Sequence, residues 1–209
     1  MELTEAMRTT GTIRRFRPDP VPDEVLHRAF EVARFGPQGG NRQPMRWVVV
    51  RDPTTRRALG ELYRPLWKDY LTQRASGGRR SRQALDADHF AEHFGEVPVI
   101  IVACAVLAAL HPTDTELDRL SVVGGGSIYP TVQNLCLALR DQGVGTAVTT
   151  LLCRVEPQVR ELLAVPDDVI TAGYLAVGYP ERPFPTRLRR APVEDVVFAD
   201  RFGSPLFPV

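Results

Sequence analysis

Eight residues near the N-terminus, Pro37 to Pro44, combine groups that could recognise a small ligand. Gly39 and Gly40 can bring bare backbone against a ligand, because neither residue has a side chain in the way. Asn41 and Gln43 add donors and acceptors that suit a planar, heteroatom-rich molecule. The same composition is typical of an ordinary connector between a helix and a strand. These residues, called the octet below, are therefore either a ligand-binding loop or a simple turn.

A second candidate site is the N-terminal segment 8–16, in which threonines are interleaved with arginines. Arginine offers a phosphate a planar pair of donors, and a threonine hydroxyl adds a short one. Another arginine cluster, residues 187–190, lies near the C-terminus. An exposed cationic turn would have the same composition, and spacing alone does not bring the two clusters to one phosphate.

His89, Glu92 and His93 match the H-x-x-E-H motif of inverted zinc metalloproteases. On a helix the two histidines would share a face, and Glu92 could serve as a general base. A zinc site also needs a third protein ligand, and no downstream acid stands out. The competing interpretation is a polar, exposed turn of helix, and we predict no metal site.

Other catalytic motifs are missing from the sequence. Gly143 and Gly145 begin a G-x-G pattern, but the third glycine of the G-x-G-x-x-G dinucleotide motif is absent. The G-x-S-x-G pattern of hydrolases is also absent, and no cysteine has the acid-base neighbours of a thiol nucleophile. A nucleotide partner would have to be bound in another way.

The composition is that of one domain of ordinary size. The chain has 209 residues and a net charge of +1, which gives no argument for nucleic acid or an anionic membrane. Cys104 and Cys136 lie in apolar patterns and are expected to be buried free thiols. Glu2 and Glu5 are unlike the basic start of a signal peptide. The longest apolar run, 97–110, is too short to span a membrane, so we predict a cytoplasmic protein.

Hydrophobic periodicity predicts helices alternating with about four strands, an α/β or α+β class. A polar stretch over 74–88 indicates a mobile excursion, and Pro65 is expected to kink or divide the helix in which it lies. The predicted helices are marked by Val25, Leu26, Ala29, Val32 and Ala33; by Leu59, Leu62, Tyr63, Leu66, Trp67 and Tyr70; by Ile128, Val132, Leu135 and Leu139; and by a short segment from Glu156 to Val165. The predicted strands are Trp47 to Val50, Val99 to Leu107, Gly143 to Leu152 and Val169 to Val177.

An ordered set of motifs resembles the FMN-dependent nitroreductase family, and it covers nearly the whole chain. No single motif is decisive, but their order and spacing agree with the family. The set is Thr12 to Phe16, Pro18 to Pro22, the octet, Gln142 to Thr146, Leu163 to Pro166, Gly178 to Pro180 and the arginine-rich tail.

The resemblance implies an α+β three-layer sandwich, with a central, mainly antiparallel sheet flanked by helices. Residues 1–209 would form a single FMN-binding domain, with 74–95 as a mobile excursion. Two copies would form an intertwined homodimer that holds FMN between the subunits. The extended tail, 181–209, would pack on the partner subunit.

The resemblance also implies the residues that hold FMN. The phosphate group would be held by Thr12 and Arg14, with Arg190 and Arg189 joining from the tail, and Arg15 would also belong to the cofactor site. The ribityl chain and ring would be contacted by Gly39, Gly40, Asn41 and Gln43, with Ser127 facing the flavin from the partner subunit. The backbone near flavin N5 and O4 would come from Thr149, Thr150 and Leu151. This chain departs from the family pattern at Thr10, where arginine is common, and at Gln38, where serine is common.

The implied activity is a two-step hydride transfer. NADH or NADPH would reduce FMN and leave, and an electron-poor acceptor such as a nitroaromatic or a quinone would then be reduced. Tyr63, Trp67 and Tyr70 could line the acceptor pocket or could be aromatic core. Open alternatives are activated-alkene reduction, reductive dehalogenation, a biosynthetic oxidation, and a flavin-binding protein without turnover.

Overall fold

The computed structural model describes residues 1–73 and 81–207. Within these ranges the helices are α1 (Leu3–Thr9), α2 (Asp23–Ala33), α3 (Pro53–Gln73), α4 (Arg82–Glu92), α5 (Tyr129–Asp141) and α6 (Glu156–Leu163). The strands are β1 (Met45–Val50), β2 (Val99–Val106), β3 (Gly145–Thr149) and β4 (Val169–Gly178).

The four strands form one sheet in the order β1-β2-β4-β3, and every neighbouring pair is antiparallel. The central strands β2 and β4 are long, apolar and buried almost throughout, whereas β1 and β3 are the edges of the sheet. β-Branched residues dominate β2, which suits a strand covered on both faces. The α+β class and the antiparallel sheet predicted from the sequence are confirmed.

Two hydrophobic cores cover the two faces of the sheet, because successive residues of a strand point to opposite sides. Ile101 and Ala103 of β2 face the first core, which is filled by α2 and α5. Ile100 and Val102 face the second core, which is filled by α3, α4 and α6. The protein is therefore a three-layer sandwich of helices, sheet and helices.

Helix α2 approaches α5 closely at its C-terminal end, where only glycine fits. A Cβ atom added at Gly36 would lie 2.5 Å from Oγ1 of Thr131. This contact fixes the point from which the octet starts, since the octet follows Gly36 directly.

Three local features differ from the sequence prediction. Helix α3 continues through Pro65 as one helix, so Pro65 does not divide it. Helix α4 occupies part of the predicted excursion: Ser81 caps its first turn by accepting from the Ala84 N–H at 3.2 Å, and Phe90 is buried against α3. Strand β3 ends at Thr149, because residues 151–155 form a 3-10 turn. Residues 74–80 of the predicted excursion lie outside the described residues.

The N-terminal segment and the first part of the tail pack on each other next to β3. The Ile13 N–H donates to the Thr146 carbonyl at 2.9 Å, and Phe16 forms a β-bridge with Pro180. A Cβ atom added at Gly11 would lie 2.7 Å from Cγ of Pro185. These contacts bring the two arginine-containing segments to the same edge of the sheet.

The remaining general expectations concern thiols and membranes. Cys104 and Cys136 are buried free thiols, as predicted. Burial raises the pKa of the Cys104 thiol to about 11, with Glu156 and Cys153 adding to the effect. None of the helices in the described parts of the chain is long and apolar enough to cross a membrane.

Candidate functional site

Residues of the N-terminal segment and of the tail line a common cleft of about 680 Å³, called the arginine cleft below. Thr12, Arg14 and Arg190 line it together, so the structure joins the two arginine segments that sequence spacing could not connect. Thr12 is exposed, and Arg14 is partly buried. The volume is within the range of small-molecule sites.

The neighbouring arginines Arg14 and Arg15 have different environments. The Arg15 guanidinium donates to Oδ1 of Asp86 on α4 at 2.7 Å, and Arg182 contacts the other carboxylate oxygen at 3.5 Å. The hydrogen bond from Arg15 holds the pKa of the Asp86 carboxyl below its usual range. Within residues 1–73 and 81–207, Arg14 has no hydrogen-bond or ion-pair partner. Of these two neighbours, Arg14 is therefore the one left available to an anion.

A buried tyrosine, Tyr63, contacts the end of β3. The Thr149 hydroxyl donates to the Tyr63 hydroxyl at 3.3 Å and accepts from the Leu151 N–H at 3.4 Å. Burial raises the pKa of Tyr63, while the hydrogen bond from Thr149 and the charge of Arg14 oppose that rise. Through its hydrogen bond with Thr149, Tyr63 helps to hold the backbone after β3 in place.

The octet forms a short 3-10 turn over Gly39–Asn41, called the glycine turn below. Gly40, Asn41 and Gln43 have φ values of 59°, 51° and 50°, in the left-handed region. That conformation costs a glycine little, and asparagine adopts it more readily than glutamine does. Strained backbone of this kind is concentrated at ligand sites.

The glycine turn is held by two side chains. The Gly39 N–H donates to Oγ of Ser127 at 3.0 Å, which joins two residues predicted to contact the flavin. The Gln38 side-chain amide donates to the Arg34 carbonyl at 3.3 Å and so ties the turn to the end of α2. Gln38, the position that departs from the family pattern, therefore has a structural contact within its own chain.

The residues of the arginine cleft and of the glycine turn lie at opposite edges of the sheet. The arginine cleft lies next to β3, whereas the glycine turn leads into β1 at the other edge. Neighbouring strands are roughly 4.8 Å apart, so three spacings separate the two edges by about 14 Å. Within one protomer the two groups therefore lie at opposite edges of the sheet.

The other predicted residues are placed as follows. Thr150 is exposed and Leu151 is half-buried, both in the turn after β3, and Arg189 is exposed in the tail. Tyr63 is only 2 % exposed and packs on Phe94, with ring centroids 4.6 Å apart. The Trp67 indole N–H donates to Asp88 at 3.0 Å, and its ring lies 5.5 Å from that of Tyr70.

The zinc-like motif has a geometry that does not support metal hydrolysis. His89 and His93 share a face of α4 with their rings stacked 4.0 Å apart, but the Glu92 carboxylate pairs with Arg64 at 3.1 Å. His93 Nδ1 lies 2.8 Å from the His89 carbonyl, to which it donates as Nδ1–H. In the part of the chain that the structure describes, no group of three or more potential ligands is placed to hold a metal ion.

Comparison with known proteins identifies the family. The family model described as "Nitroreductase family" matches residues 7–179. The chain belongs to the nitroreductase family. It is accordingly an oxidoreductase, and the family resemblance seen in the sequence is confirmed.

Individual relatives agree with this assignment. The chain is 30 % identical to an NADH dehydrogenase of Thermus thermophilus, over 89 % of this chain and 90 % of the relative. An NADPH:FMN oxidoreductase of Vibrio harveyi, solved with NAD+, has a TM-score of 0.69 at 20 % identity, covering 95 % of this chain and 77 % of that one. An iodotyrosine deiodinase bound to FMN and 3-iodo-L-tyrosine has a TM-score of 0.68 at 22 % identity, covering 96 % and 99 %. The two structures show the same fold.

Sequence reasoning did not identify Asp86 as part of the cleft. Asp86 lies in a polar stretch without a motif, and its contact with Arg15 joins residues that are 71 positions apart in the sequence. The N-cap serine at position 81 is the signal that could have revealed the helix carrying it.

Proposed function

We propose that this nitroreductase family member uses FMN to take hydride from NADH or NADPH and to reduce an electron-poor acceptor such as a nitroaromatic or a quinone. The observation that carries the proposal is the guanidinium of Arg14 in the arginine cleft, which has no partner among the described residues. A cation without a partner, beside the hydroxyl of Thr12, is suited to the phosphate group of FMN.

The residues of the arginine cleft fit that phosphate. Among the residues that the structure describes, Asp86 is the only acid that lines the cleft, and both of its oxygens are engaged by Arg15 and Arg182. Arg190 adds a second guanidinium at the same cleft. Thr12, Arg14 and Arg190 would therefore hold the phosphate, with Arg189 as a neighbour and with Arg15 acting mainly through Asp86.

The remaining residues would position the ring. When bound, FMN supplies the hydride-transfer chemistry, so the protein needs no side-chain acid or base for this step. The backbone of Thr149, Thr150 and Leu151 would orient the ring edge, and Tyr63 holds Thr149 from the core. Gly39, Gly40, Asn41, Gln43 and Ser127 would contact the ring and ribityl chain.

A homodimer would complete the site, because the two groups of residues lie at opposite edges of one sheet. The arginine cleft of one protomer would meet the glycine turn of its partner. The face formed by α1, α2 and α5 carries exposed apolar residues such as Val32 and Phe35, at 59 % and 73 % exposure, which suits an interface. The single domain 1–209 would then be one half of the dimer.

The tail would contribute to the same interface. Its first part, 181–190, packs on the N-terminal segment of its own chain, as the contact of Pro185 with Gly11 shows. Beyond residue 190 the tail exposes Val196 and Phe202, at 61 % and 95 %. We assign contact with the partner subunit to this second part of the tail.

The acceptor would enter near Trp67 and Tyr70, at the end of α3 that precedes the undescribed residues. Of the three aromatic residues predicted for the acceptor pocket, Tyr63 is buried in the core. It would support Thr149 and not contact the acceptor. A structure of the dimer with a substrate analogue tests this placement; aromatic rings remote from the analogue would contradict it.

Reductive dehalogenation is the second candidate, and the similarity to iodotyrosine deiodinase is the observation that favours it. In that reaction the reductant supplies two electrons and one proton is taken up, so that the carbon–halogen bond of a halophenol becomes a carbon–hydrogen bond and halide leaves. Release of iodide from 3-iodotyrosine, measured beside reduction of a nitroaromatic and a quinone, separates the two candidates.

The test of the proposed function is the visible spectrum of the purified protein under anaerobic conditions. We expect a yellow protein with the spectrum of oxidised flavin, bleaching on addition of NADH or NADPH, and return of the colour on addition of an acceptor. Stable flavin without bleaching would indicate a binding protein that does not turn over. A colourless protein that does not take up FMN would overturn the proposal.

A further inference from the structure

A second cationic cleft adjoins the arginine cleft. It has a volume of about 940 Å³, and we call it the tail cleft. Its cations are Arg8 at the end of α1 together with Arg187, Arg189 and Arg190 of the tail. Leu188 and Arg190 line both clefts, so the two are immediate neighbours.

The tail cleft carries positive charge without compensation. None of the described residues that line it is an acid, in contrast to the arginine cleft with Asp86. In the described parts of the chain, the side chains of Arg8, Arg187 and Arg189 have neither a hydrogen-bond nor an ion-pair partner. Guanidinium groups gathered around one concavity repel each other, and a bound anion would offset that repulsion.

The side chains that line the tail cleft are suited to a phosphate group. Guanidinium groups donate paired hydrogen bonds to phosphate oxygens, and the Thr186 hydroxyl in the same lining adds a further donor. The FMN phosphate would already be held by Thr12, Arg14 and Arg190. Arg8 and Arg187 line only the tail cleft and therefore remain for a second phosphate.

We propose that the tail cleft binds the phosphate on the adenosine ribose of NADPH, and that this enzyme consequently prefers NADPH to NADH. The inference rests on the proposed function, because it takes a pyridine dinucleotide to be the reductant. The two reductants differ only in that phosphate, and the tail cleft supplies the charge that distinguishes them. The dinucleotide would extend from the flavin ring past the FMN phosphate to the tail.

The kinetic test compares the holoenzyme with the double variant Arg8→Ala and Arg187→Ala. We expect the wild type to use NADPH with a kcat/KM at least about tenfold above that for NADH, because the charge-assisted contacts are specific to the extra phosphate. The variant should lose roughly 10- to 100-fold in kcat/KM for NADPH, mainly through KM, and stay within about twofold for NADH. Its FMN content and Tm should equal those of the wild type.

A control double variant, Arg57→Ala with Lys68→Ala, removes two exposed charges from α3 and should leave both reductants unaffected. Equal use of NADPH and NADH by the wild type would overturn the inference. Equal losses for both reductants in the Arg8 and Arg187 variant would overturn it as well.

A binding measurement separates this inference from the proposed function. Adenosine 2′-monophosphate, titrated calorimetrically into the holoprotein, should bind to the wild type and not to the Arg8 and Arg187 variant, whether or not turnover occurs. Inorganic phosphate is the comparison: binding as tight as that of the nucleotide would mean that the cleft takes free phosphate, which contradicts the assignment to NADPH. If neither reductant bleaches the flavin while the nucleotide still binds, the proposed function fails and the tail cleft stands as a phosphate site.

Discussion

The adjacent residues Arg14 and Arg15 offer the sharpest test of the phosphate site, because the same substitution should have different effects at the two positions. In Arg14→Gln the unpaired cation of the arginine cleft is removed. In Arg15→Gln the lost contact is the 2.7 Å hydrogen bond to Asp86, which leaves Asp86 with Arg182. Glutamine keeps part of the aliphatic side chain in both variants and removes the charge together with the guanidinium donors.

The expected magnitudes follow from these contacts. A charge-assisted hydrogen bond to phosphate contributes about 1.5–3 kcal/mol, so Arg14→Gln should weaken FMN binding roughly 10- to 150-fold. Arg15 and Asp86 form a partly exposed surface pair, at 28 % and 24 %. Such a pair contributes on the order of 0.5 kcal/mol to stability, so Arg15→Gln should lower the Tm by about 1–2 °C. Its FMN affinity should stay within about threefold of the wild type, since Arg15 would not touch the phosphate.

The assay is quenching of FMN fluorescence on titration with apoprotein, with Tm measured on the same samples. A loss of FMN affinity in Arg15→Gln as large as that in Arg14→Gln would refute this division of roles. Unchanged affinity in Arg14→Gln would remove Arg14 from the phosphate site altogether.

Three further predictions concern the glycine turn, the tyrosine and the ion pair. Gly39→Asp should fold normally, because an added Cβ meets only Ser127 Oγ, at 3.6 Å. It should lose FMN, because the carboxylate would enter the proposed flavin site. Gly39→Ala is the control and should keep FMN, as measured by the flavin absorbance of the purified proteins. Tyr63→Phe should lower the free energy of unfolding by about 0.5–1.5 kcal/mol in urea denaturation, since Thr149 loses its acceptor. Asp86 has a lowered pKa in the folded state, so its contribution to stability is present above the ordinary aspartate pKa and is lost as pH falls through the folded value. Asp86→Asn should therefore lower the Tm by about 1–2 °C at pH 7, and this difference should shrink as the pH falls below the ordinary aspartate pKa.

The elements that follow from local pattern were predictable from the sequence. Strand β4, predicted over Val169 to Val177, runs from Val169 to Gly178, because a continuous apolar segment bounded by turn residues has few alternatives. The core helix with Leu135 and Leu139 was recognisable from its periodicity. Helix α4 was missed because charged residues outweigh its few apolar positions, although Phe90 is buried.

The residue types of the candidate site are recognisable in the sequence, but their arrangement is not. Two adjacent arginines look alike in the sequence, and only the position of Asp86 on a distant helix distinguishes Arg15 from Arg14. Likewise, nothing local in the octet indicates that it lies across the sheet from the N-terminal segment. Both facts depend on tertiary contacts between residues far apart in sequence.

Subunit complementation tests most directly the central claim, a flavin site shared between two protomers. Arg14→Gln and Gly39→Asp should each give a folded dimer with little NAD(P)H-dependent activity. Co-expression of the two variants should restore activity, because a mixed dimer pairs one intact arginine cleft with one intact glycine turn. If half of the dimers are mixed and each has one intact site, the preparation should reach about a quarter of the wild-type activity. Absence of any recovery, with mixed dimers demonstrated by differently tagged chains, would contradict the shared site.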